Sequence, residues 1–125
     1  MTTIIGNTYE LIAGHWLPNV ADDHKCKRPH GHNYEIEVVI GGPIESTGFI
    51  LDFYDLDKIV KPLLDQLDHQ MLNDIPGLEN PTAEYISSWF RLKIGNELPP
   101  DLVCKSVKVW ETKHCWALSF LEGAW

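Results

Sequence analysis

Residues 31–41 alternate between two kinds of side chain, and no other feature limits the fold so tightly. His32, Tyr34, Ile36, Val38 and Ile40 fall on one side, with Asn33, Glu35 and Glu37 on the other. A period of two belongs to a β-strand with one face buried and the other in water. Residues 5–17 repeat the pattern and bring Tyr9, Leu11, Ala13, His15 and Leu17 to one face. The polar stretch from Pro18 to Pro29 reads as a loop between the two strands, and Gly41-Gly42-Pro43 as the end of the second.

The period then changes. Asp52 is a candidate N-cap, and Leu56, Ile59, Val60, Leu63, Leu64 and Leu67 follow with helical spacing, Pro62 lying inside the run. Residues 73–80 form a connector. Asn80-Pro81 reads as the start of a second helix, a cap followed by proline at the first helical position, with Ile86, Trp89, Phe90 and Ile94 as its apolar stripe. Pro99-Pro100 ends that region. The strand period returns with Val103, Val107, Val109 and Glu111 on one face. A short turn over 112–114 leads to a last strand carrying Trp116, Leu118 and Phe120. Short connections of this kind predict an α+β domain of order ββααββ, an antiparallel sheet with both helices on one face. The length of 125 residues suits a single domain spanning 1–125.

Charge and cysteine content narrow the function. With 10 Lys and Arg against 18 Asp and Glu, the net charge is −8, which argues against a nucleic-acid partner. A local cluster at Lys25, Lys27 and Arg28 still allows a small anionic substrate. No apolar run is long enough to span a membrane. The Met-Thr-Thr-Ile-Ile-Gly start lacks the basic and apolar regions of a signal peptide, so the expected location is cytoplasmic. The three cysteines, Cys26, Cys104 and Cys115, then read as free thiols, the last two as small packing residues within strands.

His30-Gly31-His32 opens the second strand. Residues two apart on a strand point the same way, about 6–7 Å apart, so both imidazoles can face one ion. His15 lies near the end of the preceding strand and comes beside them if the strands pair antiparallel. A His-x-His pair alone often lies on a solvated strand, but all three at abutting strand ends point to a metal. Three histidines leave a coordination position open, as catalytic zinc requires. His24 and Cys26 are further possible donors, though a fourth protein ligand would close the site. Cys26, among Lys25, Lys27 and Arg28, is a candidate base or nucleophile. Asp68-His69, after the first helix, is a candidate proton-transfer pair or a solvated acid–His pair at a helix end. Glu111 ends an apolar strand face and needs a partner, either a guanidine-like ligand group or a lysine or arginine.

These residues resemble the 6-pyruvoyltetrahydropterin synthase family, in particular its bacterial queuosine-pathway branch. The resemblance is carried by Ala13-Gly14-His15-Trp16-Leu17-Pro18, His24-Lys25-Cys26, His30-Gly31-His32-Asn33-Tyr34 and Gly48-Phe49-Ile50-Leu51-Asp52-Phe53. It continues through Leu67-Asp68-His69-Gln70-Met71-Leu72-Asn73-Asp74, Asn80-Pro81-Thr82-Ala83-Glu84 and Glu111-Thr112. The resemblance implies the tunnelling fold (T-fold). It also implies trimers that close their sheets into a barrel, pairs of trimers stacked as hexamers, and active sites between subunits. It implies Zn2+ held by His15, His30 and His32, Cys26 as the proton-abstracting residue, and Asp68 and His69 as a partner relay. It implies Glu111 as anchor of the pterin ring, with Thr82 and Glu84 lining the pocket. The expected substrate is 7,8-dihydroneopterin triphosphate. Three readings stay open: a lyase giving 6-carboxy-5,6,7,8-tetrahydropterin, acetaldehyde and triphosphate; a pyruvoyl-type synthase without carbon–carbon cleavage; and a zinc module without activity. The three-residue gap between Cys26 and His30 is similar to the queuosine branch. Gly14 and Trp16 stand where the family more often has Ala and Arg. No role is assigned to His24, His114 or Cys115.

Overall fold

A computed structural model of the protein describes residues 2–123. The elements run β1 (Thr2–His15), β2 (His30–Pro43), α1 (Phe53–Leu67), α2 (Ala83–Glu97), β3 (Val103–Thr112) and β4 (Cys115–Phe120). Short 3-10 turns lie at Lys25–Lys27 and Leu72–Asp74. The strands form one four-stranded antiparallel sheet in the order β1-β2-β3-β4, so the expected ββααββ layout holds. Among the described residues no helix is long and apolar enough to cross a membrane.

One sheet face builds the core. Tyr9, Leu11 and Ala13 of β1, Tyr34, Ile36, Val38 and Ile40 of β2, and Cys104, Val107 and Val109 of β3 are buried against the helices. From α1 come Leu56, Val60, Leu63, Leu64 and Leu67, and from α2 Ile86, Trp89, Phe90 and Ile94. The Tyr9 hydroxyl donates to Asp57 Oδ1 at 2.7 Å, tying β1 to α1. Burial raises the Tyr9 pKa, and that hydrogen bond adds to the effect, so the phenol stays protonated.

Four details differ from the sequence reading. First, β1 covers Thr2–His15 rather than 5–17, so Leu17 lies past the strand and His15 closes it. Second, β2 runs through both glycines to Pro43. A Cβ on Gly42 would collide with Leu102 Cδ2 and come within 3.2 Å of the Asp101 carbonyl, so close approach explains that glycine, whereas one on Gly41 would meet only the flexible Lys105 side chain. Third, α2 is capped by Thr82, not Asn80. Thr82 Oγ1 accepts the Tyr85 N–H at 3.2 Å, which leaves Pro81 outside the helix. Fourth, Val103 does not share the face of Val107, Val109 and Glu111. Ile40 pairs with Cys104 and Val39 with Ser106, so Lys105 is the extra residue of a β-bulge. The bulge reverses the phase and turns Cys104 inward in place of Val103.

Candidate metal centre and active-site cleft

The β1–β2 register sets His15 opposite His30 and Ala13 opposite His32. The three rings therefore meet where the two strands end. One ligand atom from each of His15, His30 and His32 lies within 4.8 Å of the others, so the group can hold a metal ion. The outer ring nitrogens are spoken for. His15 Nδ1 lies 2.8 Å from Pro81 O, and His30 Nδ1 lies 2.7 Å from Arg28 O. A carbonyl only accepts, so both Nδ1 atoms carry the proton and both Nε2 atoms present lone pairs. Those two Nε2 atoms face each other at 2.8 Å.

Two facing lone pairs repel, and a shared cation relieves them. His32 Nε2 supplies the third donor. Among the described residues it is buried with no hydrogen-bond partner, and Glu111 Oε1 approaches to 3.3 Å without hydrogen-bond alignment. A buried unpaired nitrogen is costly unless something binds it. Burial lowers the pKa of His15, against an opposing hydrogen bond to Pro81, and burial also lowers that of His32. Both rings are thereby kept neutral, the state a metal needs. The donor set fits a zinc-type ion.

The His30 and His32 imidazoles open onto a cleft of about 600 Å³ lined also by Lys25, Cys26, Arg28 and Glu111, among others. Cys26 is half-buried there, held by the turn Lys25–Lys27. His24 Nδ1 accepts the Cys26 N–H at 3.0 Å, so His24 caps that turn rather than joining the metal group. Cys115 also lines the cleft and is exposed, contrary to its reading as a packing residue. It follows a two-residue turn, where the strand phase carries no burial. Cys104 is buried as expected.

A family model described as 6-pyruvoyl tetrahydropterin synthase matches residues 4–120. The chain belongs to the 6-pyruvoyl tetrahydropterin synthase family. A 6-carboxy-5,6,7,8-tetrahydropterin synthase from Synechocystis is 36% identical over 115 residues, covering 87% of this chain and 86% of the relative. A dihydroneopterin monophosphate aldolase from Pyrococcus furiosus is 40% identical over 82 residues, 66% of this chain and 69% of the relative. The fold is also that of a Caenorhabditis elegans 6-pyruvoyl tetrahydropterin synthase structure, with a TM-score of 0.87 and 23% identity over 98% of this chain and 97% of that one.

Other residues carried over from the family resemblance lie outside the cleft lining of a single chain. Asp68 and His69 sit on the outer edge of β1. Asp68 Oδ1 accepts the Ile12 N–H at 3.2 Å, and the His69 N–H donates to Ile12 O at 2.6 Å. His69 Nδ1 contacts Asp68 Oδ2 at 2.7 Å. That hydrogen bond, followed by the one from Ile12, holds the Asp68 carboxyl below the usual carboxylate range. His69 takes a left-handed backbone, φ 58°, and its side chain is largely exposed. The Thr82 hydroxyl caps α2, and Glu84 is exposed on the first turn of that helix.

Sequence reasoning missed two supporting residues. Asn73 clamps the backbone that follows His15: its Oδ1 accepts the Trp16 N–H at 3.0 Å, and its Nδ2 donates to Trp16 O at 2.7 Å. The buried Tyr34 hydroxyl lies 3.2 Å from His15 Nδ1. The alternation of β2 marked Tyr34 as inward-facing, but nothing local marked Asn73, whose partner is 57 residues away.

Proposed function

We propose that the protein is a 6-carboxy-5,6,7,8-tetrahydropterin synthase, a single-domain, zinc-dependent lyase of queuosine biosynthesis acting in the cytoplasm. One 7,8-dihydroneopterin triphosphate and one water become 6-carboxy-5,6,7,8-tetrahydropterin, acetaldehyde and triphosphate. The observation that carries this reading is a three-histidine group, one buried Nε2 of which has no hydrogen-bond partner among the described residues, beside the cleft that also holds Cys26 and Glu111. His15, His30 and His32 would hold the zinc. When bound, it supplies Lewis acidity toward the hydroxyl oxygens of the substrate side chain.

The chain's own residues have separate tasks. Glu111 accepts the paired N–H donors of the pterin pyrimidine edge, a bidentate and charge-assisted contact. Cys26 takes the proton from the side-chain carbon. Asp68 orients His69, which returns or removes protons at the side-chain oxygens, and Thr82 and Glu84 border the ring site. Asp68 and His69 do not line their own cleft and are exposed, so the relay fits a neighbouring subunit's site. A dimer of trimers supplies such neighbours. The sheet ends at β1 and β4, the edge of β1 being taken from Ile12 to Gly14 by the segment after α1, and Trp116 and Phe120 expose 53% and 48% of their surface on β4. Light scattering should show a hexamer, or at the least a trimer. A stable, active monomer would overturn the shared site.

Mass spectrometry of the products tests the reaction itself. The expected products carry a 6-carboxyl group, with acetaldehyde and free triphosphate. A pyruvoyl product with all side-chain carbons retained would move the protein to the other synthase branch. A second reading rests on the Pyrococcus furiosus relative, whose name is that of an aldolase on the monophosphate. It predicts carbon–carbon cleavage that leaves the phosphate on the smaller fragment.

A further inference from the structure

We propose that Lys25 and Arg28 form the anion subsite that takes the phosphate tail of the pterin substrate and sets the preference for its length. The inference rests on the pterin reading above. It adds the residues that recognise the charged end of the molecule.

The protein carries a net charge of −8, so a polyanion meets a repelling surface unless local cations oppose it. Most cations are already engaged. Lys27 donates to Pro18 O at 3.0 Å and Val20 O at 3.2 Å and pairs with Asp22 at 3.2 Å. Lys58 and Lys61 pair with Asp55 and Asp57. Arg91 donates to Ser119, while Lys93 and Lys108 lie over tryptophan rings. Among the described residues, the Lys25 ammonium and the Arg28 guanidinium make no hydrogen bond or ion pair. Both line the cleft that holds Cys26, His30, His32 and Glu111.

Their placement follows from the loop. His24 caps the 3-10 turn Lys25–Lys27 through the Cys26 N–H, and the Arg28 N–H closes it onto Lys25 O at 3.2 Å. Lys25 and Arg28 are three residues apart, so one turn presents both, with Cys26 between them. The Arg28 carbonyl also holds His30 Nδ1, which ties the subsite to the metal centre. A guanidinium fork grips phosphate oxygens in pairs, and an ammonium adds a point charge. One cation would serve a monophosphate. Two adjacent cations suit a longer, more highly charged tail.

The test compares Lys25→Ala/Arg28→Ala with the parent, both zinc-loaded, using three probes. Inorganic triphosphate reads the subsite alone. Phosphate-free 7,8-dihydroneopterin, which has no leaving group, reads the ring site. The triphosphate and monophosphate substrates read both through KM. The expected result is roughly 10- to 100-fold weaker binding of inorganic triphosphate, with dihydroneopterin affinity unchanged. The KM for the triphosphate should rise more than that for the monophosphate, and the salt dependence of the triphosphate KM should flatten. Unchanged triphosphate binding would overturn the subsite, and so would an equal loss of dihydroneopterin. A parent protein that binds inorganic triphosphate through these residues but binds no pterin would leave the subsite standing and remove the pterin reading. Arg28→Lys should recover part of the triphosphate affinity. Full recovery would show that the fork geometry plays no part.

Discussion

His32→Ala is expected to leave the protein folded and strip it of its zinc. Parent protein dialysed against a trace of free zinc should hold about one ion per chain, the ratio set by one three-histidine group. The variant removes the donor that has no hydrogen-bond partner among the described residues. Loss of a supporting residue around a metal typically costs 10- to 100-fold in affinity, so loss of a ligand should cost more than about 100-fold. The fold should survive, because His32 is only half-buried and the core packs below it. Metal analysis beside far-ultraviolet circular dichroism reads both quantities. Full zinc occupancy in the variant would remove His32 from the ligand set.

Acidity should act on the same group. Burial lowers the folded pKa of His15 and His32, so below about 6.5, the ordinary histidine value, the unfolded chain takes up protons that the folded one refuses. The contribution of these rings to the stability of the metal-free protein is therefore complete above that value. It drains away as the pH falls through it toward the folded values. Protons also compete with zinc for the same nitrogens, so occupancy should fall in the same direction.

The sequence made the metal group legible because two simple periods govern it. Alternation along β1 and β2 put His15 and His32 on the inward face, and an antiparallel pairing was enough to bring the strand ends together. The helices were legible for the same reason, since Leu56 to Leu67 and Ile86 to Ile94 repeat at helical spacing. What escaped depends on a single inserted residue or on distant contacts. The bulge at Lys105 shifts the phase of β3 without altering its composition, so Val103 and Cys104 exchange sides. The cap of α2 turns on which of Asn80 and Thr82 reaches a free N–H, and the hydrogen bond from Tyr85 decides for Thr82. The separation of Asp68 and His69 from Cys26 could not be read from spacing. It arises because the chain after α1 docks on the outer edge of β1, where Gly14 N–H donates to Gln70 O at 2.9 Å.

Cys26→Ala is expected to retain zinc and pterin while losing most of its turnover. The thiol is half-buried in the cleft beside the imidazoles, and its backbone N–H rather than its sulfur fastens the turn to His24. Removing the sulfur therefore leaves the turn, the metal ligands and Glu111 in place. Proton transfer by a positioned side chain contributes about 10²- to 10⁴-fold, and kcat should fall by that amount, with dihydroneopterin affinity and zinc content near the parent values. Cys115→Ala is the demanding control, because Cys115 lines the same cleft. It should leave kcat within a few-fold, as should Cys104→Ala, whose buried thiol is pushed up to about 12 by desolvation and cannot serve as a base. Cys26→Ser separates chemistry from shape. A hydroxyl fills nearly the same space but is a far weaker acid, so kcat should stay low although the cleft is refilled. Near-normal turnover in Cys26→Ala would pass the proton-abstracting role to His69 of a neighbouring subunit. The decisive experiment would then mix two inactive variants, His69→Ala and His32→Ala. If sites form between subunits, mixed oligomers recover activity, because some clefts receive an intact metal group from one chain and an intact His69 from the next.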